Sequence, residues 1–186
     1  NNEYCNADFE KKGSYILMMY SYGMRKCSDE GVKILKELHK KLGIRVVIFG
    51  KKKYPNIPEE LKFYEDPERD LLIKLYRDAA IYLFTSSEEA WGLPVMEAMA
   101  NKCAVVGTRV GCVEELGKHG ENMMISEPND FEDLKQNIEI LWNNPILLKK
   151  IQDNGYRLAC NFRWSDSCEK MEKYLLRIKP GGTMSE

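Results

Sequence analysis

The sequence predicts an α/β domain: a doubly wound sheet of six parallel strands followed by C-terminal helices. Three observations predict it. Short apolar runs recur along the chain, continuous rather than alternating, as strands buried on both faces require. Segments with apolar residues at helical spacing separate these runs, so strand and helix alternate. Parallel strands joined by helices take right-handed crossovers, and six of them suit the order 3-2-1-4-5-6.

Residues 15–21, Tyr-Ile-Leu-Met-Met-Tyr-Ser, form the first run. Ser28-Asp29 then offers a helix cap, Val32, Ile34, Leu35, Leu38 and Leu42 follow at helical spacing, and Gly43 sits where a C-cap belongs. Residues 45–50 are the second strand, and the basic, proline-containing stretch 51–60 is a loop. A short third strand at 61–64 precedes Asp66-Pro67, read as a cap with proline at the first helical position. Leu71, Leu72, Leu75, Tyr76 and Ala79 mark that helix. The fourth strand is 80–84, a helix starts near Pro94, and the fifth strand is 104–108. A short helix at 113–116 leads to a sixth strand at 123–126. Helices over 130–142, 145–160 and 165–178 complete the domain, and residues 179–186, Lys-Pro-Gly-Gly-Thr-Met-Ser-Glu, read as a disordered tail.

Composition narrows the classes. A chain of 186 residues suits one domain with a substantial core. A formal net charge of −1 gives no electrostatic case for nucleic acid. No apolar run approaches the roughly 20 residues of a membrane span, and Asn1 to Cys5 lacks the basic and apolar regions of a signal peptide. Six cysteines, at 5, 27, 103, 112, 160 and 168, form no Cys-x-x-Cys pair, and His39 and His119 lie far apart, so no metal site is expected. Cys103 reads as a small buried hydrophobe. Free thiols in a chain this large suggest a reducing, cytoplasmic setting.

In a 3-2-1-4-5-6 sheet the strand order reverses between strands one and four, and ligands bind outside the carboxyl ends of those strands. Topology alone therefore points two loops at one crevice: 21–30 and 85–93. The second loop reads Thr-Ser-Ser-Glu-Glu-Ala-Trp-Gly-Leu and runs into Pro94-Val-Met-Glu-Ala-Met-Ala100. The amides after Pro94 would carry the partial positive charge of a helix N-terminus, which favours phosphate. Gly92 would let backbone approach a ligand. Glu89 and Glu97 both reach the crevice at different depths, and a carboxylate can accept from vicinal hydroxyls of a ribose or hexose. Arg25 and Lys26, in the first loop, could neutralise a diphosphate across the crevice. Simpler readings stand beside these. A glutamate in a first helical turn stabilises the dipole without any ligand. Arg25-Lys26 beside Asp29-Glu30 could be an exposed basic pair, and Lys51 to Lys53 and Glu88 read as solvated surface.

The stretch Glu89-Ala-Trp-Gly-Leu-Pro-Val-Met-Glu97-Ala-Met-Ala resembles the Glu-x7-Glu motif of group 1 glycosyltransferases, the large retaining family with two Rossmann-like domains in the GT-B fold. The resemblance continues in register. Ala104 to Thr108 and Val110-Gly-Cys-Val-Glu-Glu115-Leu look like the family's next strand and its Gly-Gly-x-Pro-Glu turn. His119-Gly-Glu-Asn122 looks like Asp-Gly-Glu-Asn, and Phe162-Arg-Trp164 resembles the closing Phe-Ser-Trp-Glu segment. The match spans about residues 15–178, and the domain expected there is Rossmann-like, one half of a GT-B fold.

The resemblance implies roles. Glu97 would bind the donor ribose, and Glu89, the catalytic candidate, would contact and orient the transferred sugar. Backbone amides from Gly92 through Leu93 and Pro94 to Val95 would hold sugar and diphosphate. Phe63-Tyr64 would lie near the nucleobase, and Arg25 and Lys26 would stabilise the leaving diphosphate. The donor would be a nucleoside-diphosphate sugar, with no cofactor and no metal. The acceptor hydroxyl would attack on the face the diphosphate leaves, in polysaccharide or glycoconjugate synthesis. The acceptor site would belong to a missing N-terminal domain, to which residues 1–14 are the linker and through which peripheral membrane association could arise. This chain alone would then bind nucleotide weakly and transfer little. The sequence departs from the family's wording at Ser21-Tyr22 in place of Gly-Arg, at Lys26-Cys27 in place of Lys-Gly, and at Ala90 and Trp91 in place of Gly and Phe. A non-catalytic nucleotide-sugar-binding or scaffold module is the alternative reading. An epimerase or phosphorylase relative fits less well: the epimerase pattern lacks a good Leu-Pro-Val-Met-Glu-Ala-Met run, and a phosphorylase needs a lysine for pyridoxal phosphate.

Overall fold

Apolar residues on both faces of a strand force helices to cover both sides. In the structure, a computed structural model that describes residues 15–177, six parallel strands do this. They are β1 (Ile16–Met19), β2 (Val46–Gly50), β3 (Lys62–Glu65), β4 (Ile81–Phe84), β5 (Ala104–Thr108) and β6 (Met124–Ser126). The order is β3-β2-β1-β4-β5-β6, so the sequence-based topology holds and the reversal lies between β1 and β4. The helices are α1 (Ser28–Leu42), α2 (Arg69–Asp78), α3 (Leu93–Ala100), α4 (Cys112–Leu116), α5 (Phe131–Asn143), α6 (Pro145–Cys160) and α7 (Trp164–Arg177). The expected linker, 1–14, and tail, 179–186, lie outside the described residues.

The period-2 alternation of side chains divides the core into two. One cluster joins Ile16, Met18, Ile48, Ile81 and Val106 to α1 and α5 through Leu35, Leu38, Leu134 and Ile138. The other joins Leu17, Phe49, Tyr82 and Val105 to α2, α3 and α4 through Tyr76, Val95, Met99 and Val113. Strand β3, at the sheet edge, is only partly covered.

Two caps differ from expectation. Ser28 is not the α1 cap. Cys27, in a left-handed conformation with φ 48, precedes the helix. The Ser28 hydroxyl instead donates to Ser21 O at 2.9 Å and accepts from Ser21 N at 3.1 Å, which fastens the first loop to the start of α1. Asp66-Pro67 does not open α2, because the Asp66 amide extends the sheet ladder to Gly50 O at 2.7 Å; Glu68 precedes the helix instead. Helix α3 starts near Pro94 as expected, with Pro94 its second residue and Gly92 its cap. Gly43 closes α1 as expected, and Asp130 and Asn144, which the sequence reading does not single out as caps, cap α5 and α6 through their side chains. Cys103 is fully buried, with its Sγ 3.0 Å from Tyr76 O.

Candidate functional site

The two loops that topology points at one crevice are bound to each other. The Ser87 amide donates to Arg25 O at 2.8 Å, and the Thr85 hydroxyl donates to Lys26 O at 2.8 Å. Sequence reading passed over both contacts, since a main-chain carbonyl leaves no mark in the sequence. They set the 3-10 turn Met24–Lys26 over the carboxyl end of β4 and separate the two basic residues. Arg25 lies on the rim, its Nε 3.4 Å from Glu88 Oε2, with both side chains largely exposed. Lys26 turns inward, and its Nζ pairs with Glu89 Oε2. The second Glu89 oxygen accepts the Ala90 amide at 3.2 Å. Lys26, Glu89 and Pro94 line the crevice with Ser21 and Ser28, and its open volume is about 20 Å³.

The N-terminus of α3 borders this pair. Gly92 takes φ 95, a left-handed conformation that costs glycine nothing. Of the amides from 92 to 95, Pro94 has none and Val95 donates to Gly92 O at 3.0 Å. The Gly92 and Leu93 amides have no backbone acceptor among the described residues. The Val95 side chain is fully buried in the core. A backbone clasp fixes the loop from behind: the Cys112 amide donates to Trp91 O at 2.6 Å, from a turn whose Gly111 has φ 56.

Glu97 stands about one helical turn further along α3 than Pro94, which lines this crevice, and it acts on Tyr82, which lines the crevice too. It is the fifth residue of α3, beyond the first turn, so the dipole explanation for an acid there does not apply. It faces α2, where the Tyr76 hydroxyl donates to its Oε2 at 3.1 Å. Burial raises its carboxyl above the ordinary value, while Tyr76 and Arg69 pull in the opposite direction. Tyr76 was read from sequence only as part of an apolar helix face; the usable signal is that a buried tyrosine hydroxyl needs a partner.

Phe63 and Tyr64 point to opposite faces of β3, Phe63 packing with the α1 side and Tyr64 with the α2 side. They cannot together face one nucleobase. A cavity of about 480 Å³ opens instead beyond the ends of β1 and β2, lined by Phe49, Gly50, Lys51, Asp66 and Leu72 among others. Gly50 is required there, since a Cβ would stand 2.5 Å from Tyr20 O. Tyr22 and Tyr54 stack at its mouth, with centroids 5.5 Å apart. Among the described residues no group of three potential ligands could hold a metal ion, and no helix is long and apolar enough to cross a membrane.

Comparison with known proteins agrees with the fold. The family model described as "Glycosyl transferases group 1" matches residues 6–158. An uncharacterized glycosyltransferase of Methanocaldococcus jannaschii is 33% identical over 95 residues, which are 51% of this chain and 27% of the relative. The matched stretch is thus about a quarter of that relative's length. Among solved structures, the C-terminal domain of a group 1 glycosyl transferase from Francisella tularensis superposes with a TM-score of 0.74 at 22% identity, covering 87% of this chain and 96% of that one. The Anabaena protein HepE, solved in complex with UDP-glucose, gives a TM-score of 0.77 at 16% identity, over 89% of this chain and 49% of that one. The shared fold is that of the Rossmann-like C-terminal domain of GT-B glycosyltransferases.

Proposed function

The chain belongs to the group 1 glycosyl transferases, and on that premise we propose that its crevice holds a nucleoside-diphosphate sugar for transfer to an acceptor hydroxyl. The observation that carries the reading is the Lys26–Glu89 pair standing beside the Gly92 and Leu93 amides at the sheet's reversal point. A cation, two unsatisfied amides and a helix N-terminus suit a diphosphate. Lys26 exchanges Glu89 for phosphate oxygens as the donor enters. Glu89, so released, takes hydroxyls of the transferred sugar, and Glu97 takes those of the ribose. The base lies in the adjoining cavity beside Gly50 and Asp66. Arg25 contributes only from the rim.

As the sugar–phosphate bond breaks, charge develops on the departing diphosphate, and Lys26 with the two amides stabilises it. The acceptor hydroxyl attacks on the same face and its proton passes to the departing diphosphate, so configuration is retained. Acceptor binding needs a second domain; the solved chain with UDP-glucose is about twice the stretch matched here. The reaction serves polysaccharide or glycoconjugate assembly.

Calorimetric titration of the 186-residue chain with UDP, GDP, ADP and dTDP tests the reading. At least one should bind. Lys26→Ala should weaken that diphosphate by about tenfold or more, because a charge-assisted hydrogen bond contributes about 1.5–3 kcal/mol, while its parent nucleoside should bind nearly unchanged. No binding of any diphosphate would favour a scaffold module, and equal losses for nucleoside and diphosphate would remove Lys26 from the phosphate site.

A further inference from the structure

We propose that Tyr76 is a positioning residue of the donor site, its hydroxyl setting the Glu97 carboxylate to receive the ribose hydroxyls. The inference rests on the donor-site reading above and adds a residue from a different helix.

Glu97 stands in an apolar helix, with Val95, Met96, Ala98 and Met99 all buried around it. A carboxylate in such surroundings can rotate away toward solvent or take up a proton. Tyr76 opposes both. It is fully buried, and its hydroxyl lies 3.1 Å from Glu97 Oε2. Its ring has little freedom: Phe49 of β2 meets it edge-on at 5.8 Å and Tyr82 of β4 at 5.7 Å. The hydroxyl is therefore a fixed point, held by two strands and offered to a third element. A carboxylate has about four acceptor positions. Tyr76 occupies one and leaves the others for a diol.

The same helix reaches the proposed base cavity. Leu72, one turn before Tyr76 on the same face of α2, lines that cavity. Residues 72 and 76 thus tie the base compartment to the ribose carboxylate along one rigid face, so α2 sets the spacing between them. Among the described residues, the groups that act on Glu97 are Tyr76 and Arg69, both from α2, and Glu97 in turn acts on Tyr82 of β4. Burial raises the Glu97 carboxyl, and the Tyr76 hydrogen bond opposes that rise most. Removing the hydroxyl must therefore raise the carboxyl further, so that binding by its charged form fails at a higher pH.

The test is calorimetric titration of the 186-residue chain with UDP and with GDP from pH 5 to 8. It compares the unaltered protein, Tyr76→Phe and Glu97→Gln, with a melting curve for each. Phenylalanine keeps the ring contacts, so Tyr76→Phe should melt as one cooperative unit. It should bind nucleotide about three- to tenfold more weakly at neutral pH, as for loss of one hydrogen bond to a charged group, and the acid-side fall in affinity should move to higher pH. Two results overturn the inference while leaving the donor-site reading intact: Tyr76→Phe binding like the unaltered chain at every pH, or losing the same factor at every pH with no movement of the acid limb. If Glu97→Gln binds normally, the donor-site reading fails and this inference falls with it.

Discussion

Glu97→Gln should abolish measurable nucleotide binding and leave the ligand-free domain at least as stable as before at neutral pH. The two halves have one cause. The carboxylate is half-buried in an apolar helix, and burial raises its folded-state pKa above the ordinary value. A group raised in this way favours the folded state fully below its unfolded pKa, and that contribution is lost as pH rises through the folded pKa. At neutral pH the charged form opposes folding, and the amide relieves this while filling the same volume. Binding moves the other way. An amide presents one acceptor oxygen in place of a charged pair, and two hydrogen bonds from a ribose to an ion are worth about 1.5–3 kcal/mol each. One bond is lost and the other loses its charge assistance, which together weaken binding by roughly a hundredfold. Chemical denaturation from pH 4 to 8 should show stability falling with pH in the unaltered chain relative to Glu97→Gln. A variant that is less stable at pH 7 yet still binds nucleotide would separate Glu97 from the site.

Gly111→Ala should destabilise the domain and disable the crevice together. Gly111 takes φ 56 and ψ −132, a region essentially confined to glycine. A Cβ there would stand 2.5 Å from Trp91 O, which is backbone and cannot swing aside. Strain and clash should cost about 3 kcal/mol or more, a fall of about 6–12 °C in Tm for a domain of this size. Relief of the clash pushes the loop from Trp91 to Leu93 off its seat, and nucleotide affinity goes with it. Gly43→Ala is the contrast: its φ of 66 is also left-handed, but nothing stands within 4 Å of the added Cβ. The cost there should be about 1–2 kcal/mol, with affinity unchanged. Equal effects from both substitutions would mean that the clasp on Trp91 does not hold the loop.

What could be read from sequence, and what could not, divides along a physical line. Strand order and crevice position follow from the alternation of buried runs with helices, which burial and chain handedness fix without fine detail. Strand β5 and helix α6 matched their expected limits because runs such as Ala104 to Thr108 have no competing use. Ser28 and Asp66-Pro67 misled because cap-forming residues have other partners available. Ser28 spends its hydroxyl on Ser21, and the Asp66 amide extends the sheet. In the site, the Glu-x7-Glu spacing placed both acids, but not their orientation. A left-handed Gly92 and a short helix send Glu89 toward Lys26 and Glu97 toward Tyr76. Arg25 and Lys26 are equivalent in sequence and opposite in space, because the turn that carries them is pinned by Thr85 and Ser87. Phe63-Tyr64 was read as a pair, although strand alternation sends neighbours to opposite faces.

The crevice between β1 and β4 is proposed to receive a nucleoside diphosphate. Amide chemical shifts of the isotopically labelled chain, followed during titration with UDP and with GDP, test it most directly. One nucleotide should move the Gly92, Leu93 and Lys26 amides first and furthest, with smaller movements at Gly50 and Asp66, and leave α5 and α7 still. Shifts centred elsewhere on the domain, or none with either nucleotide at millimolar concentration, would contradict it.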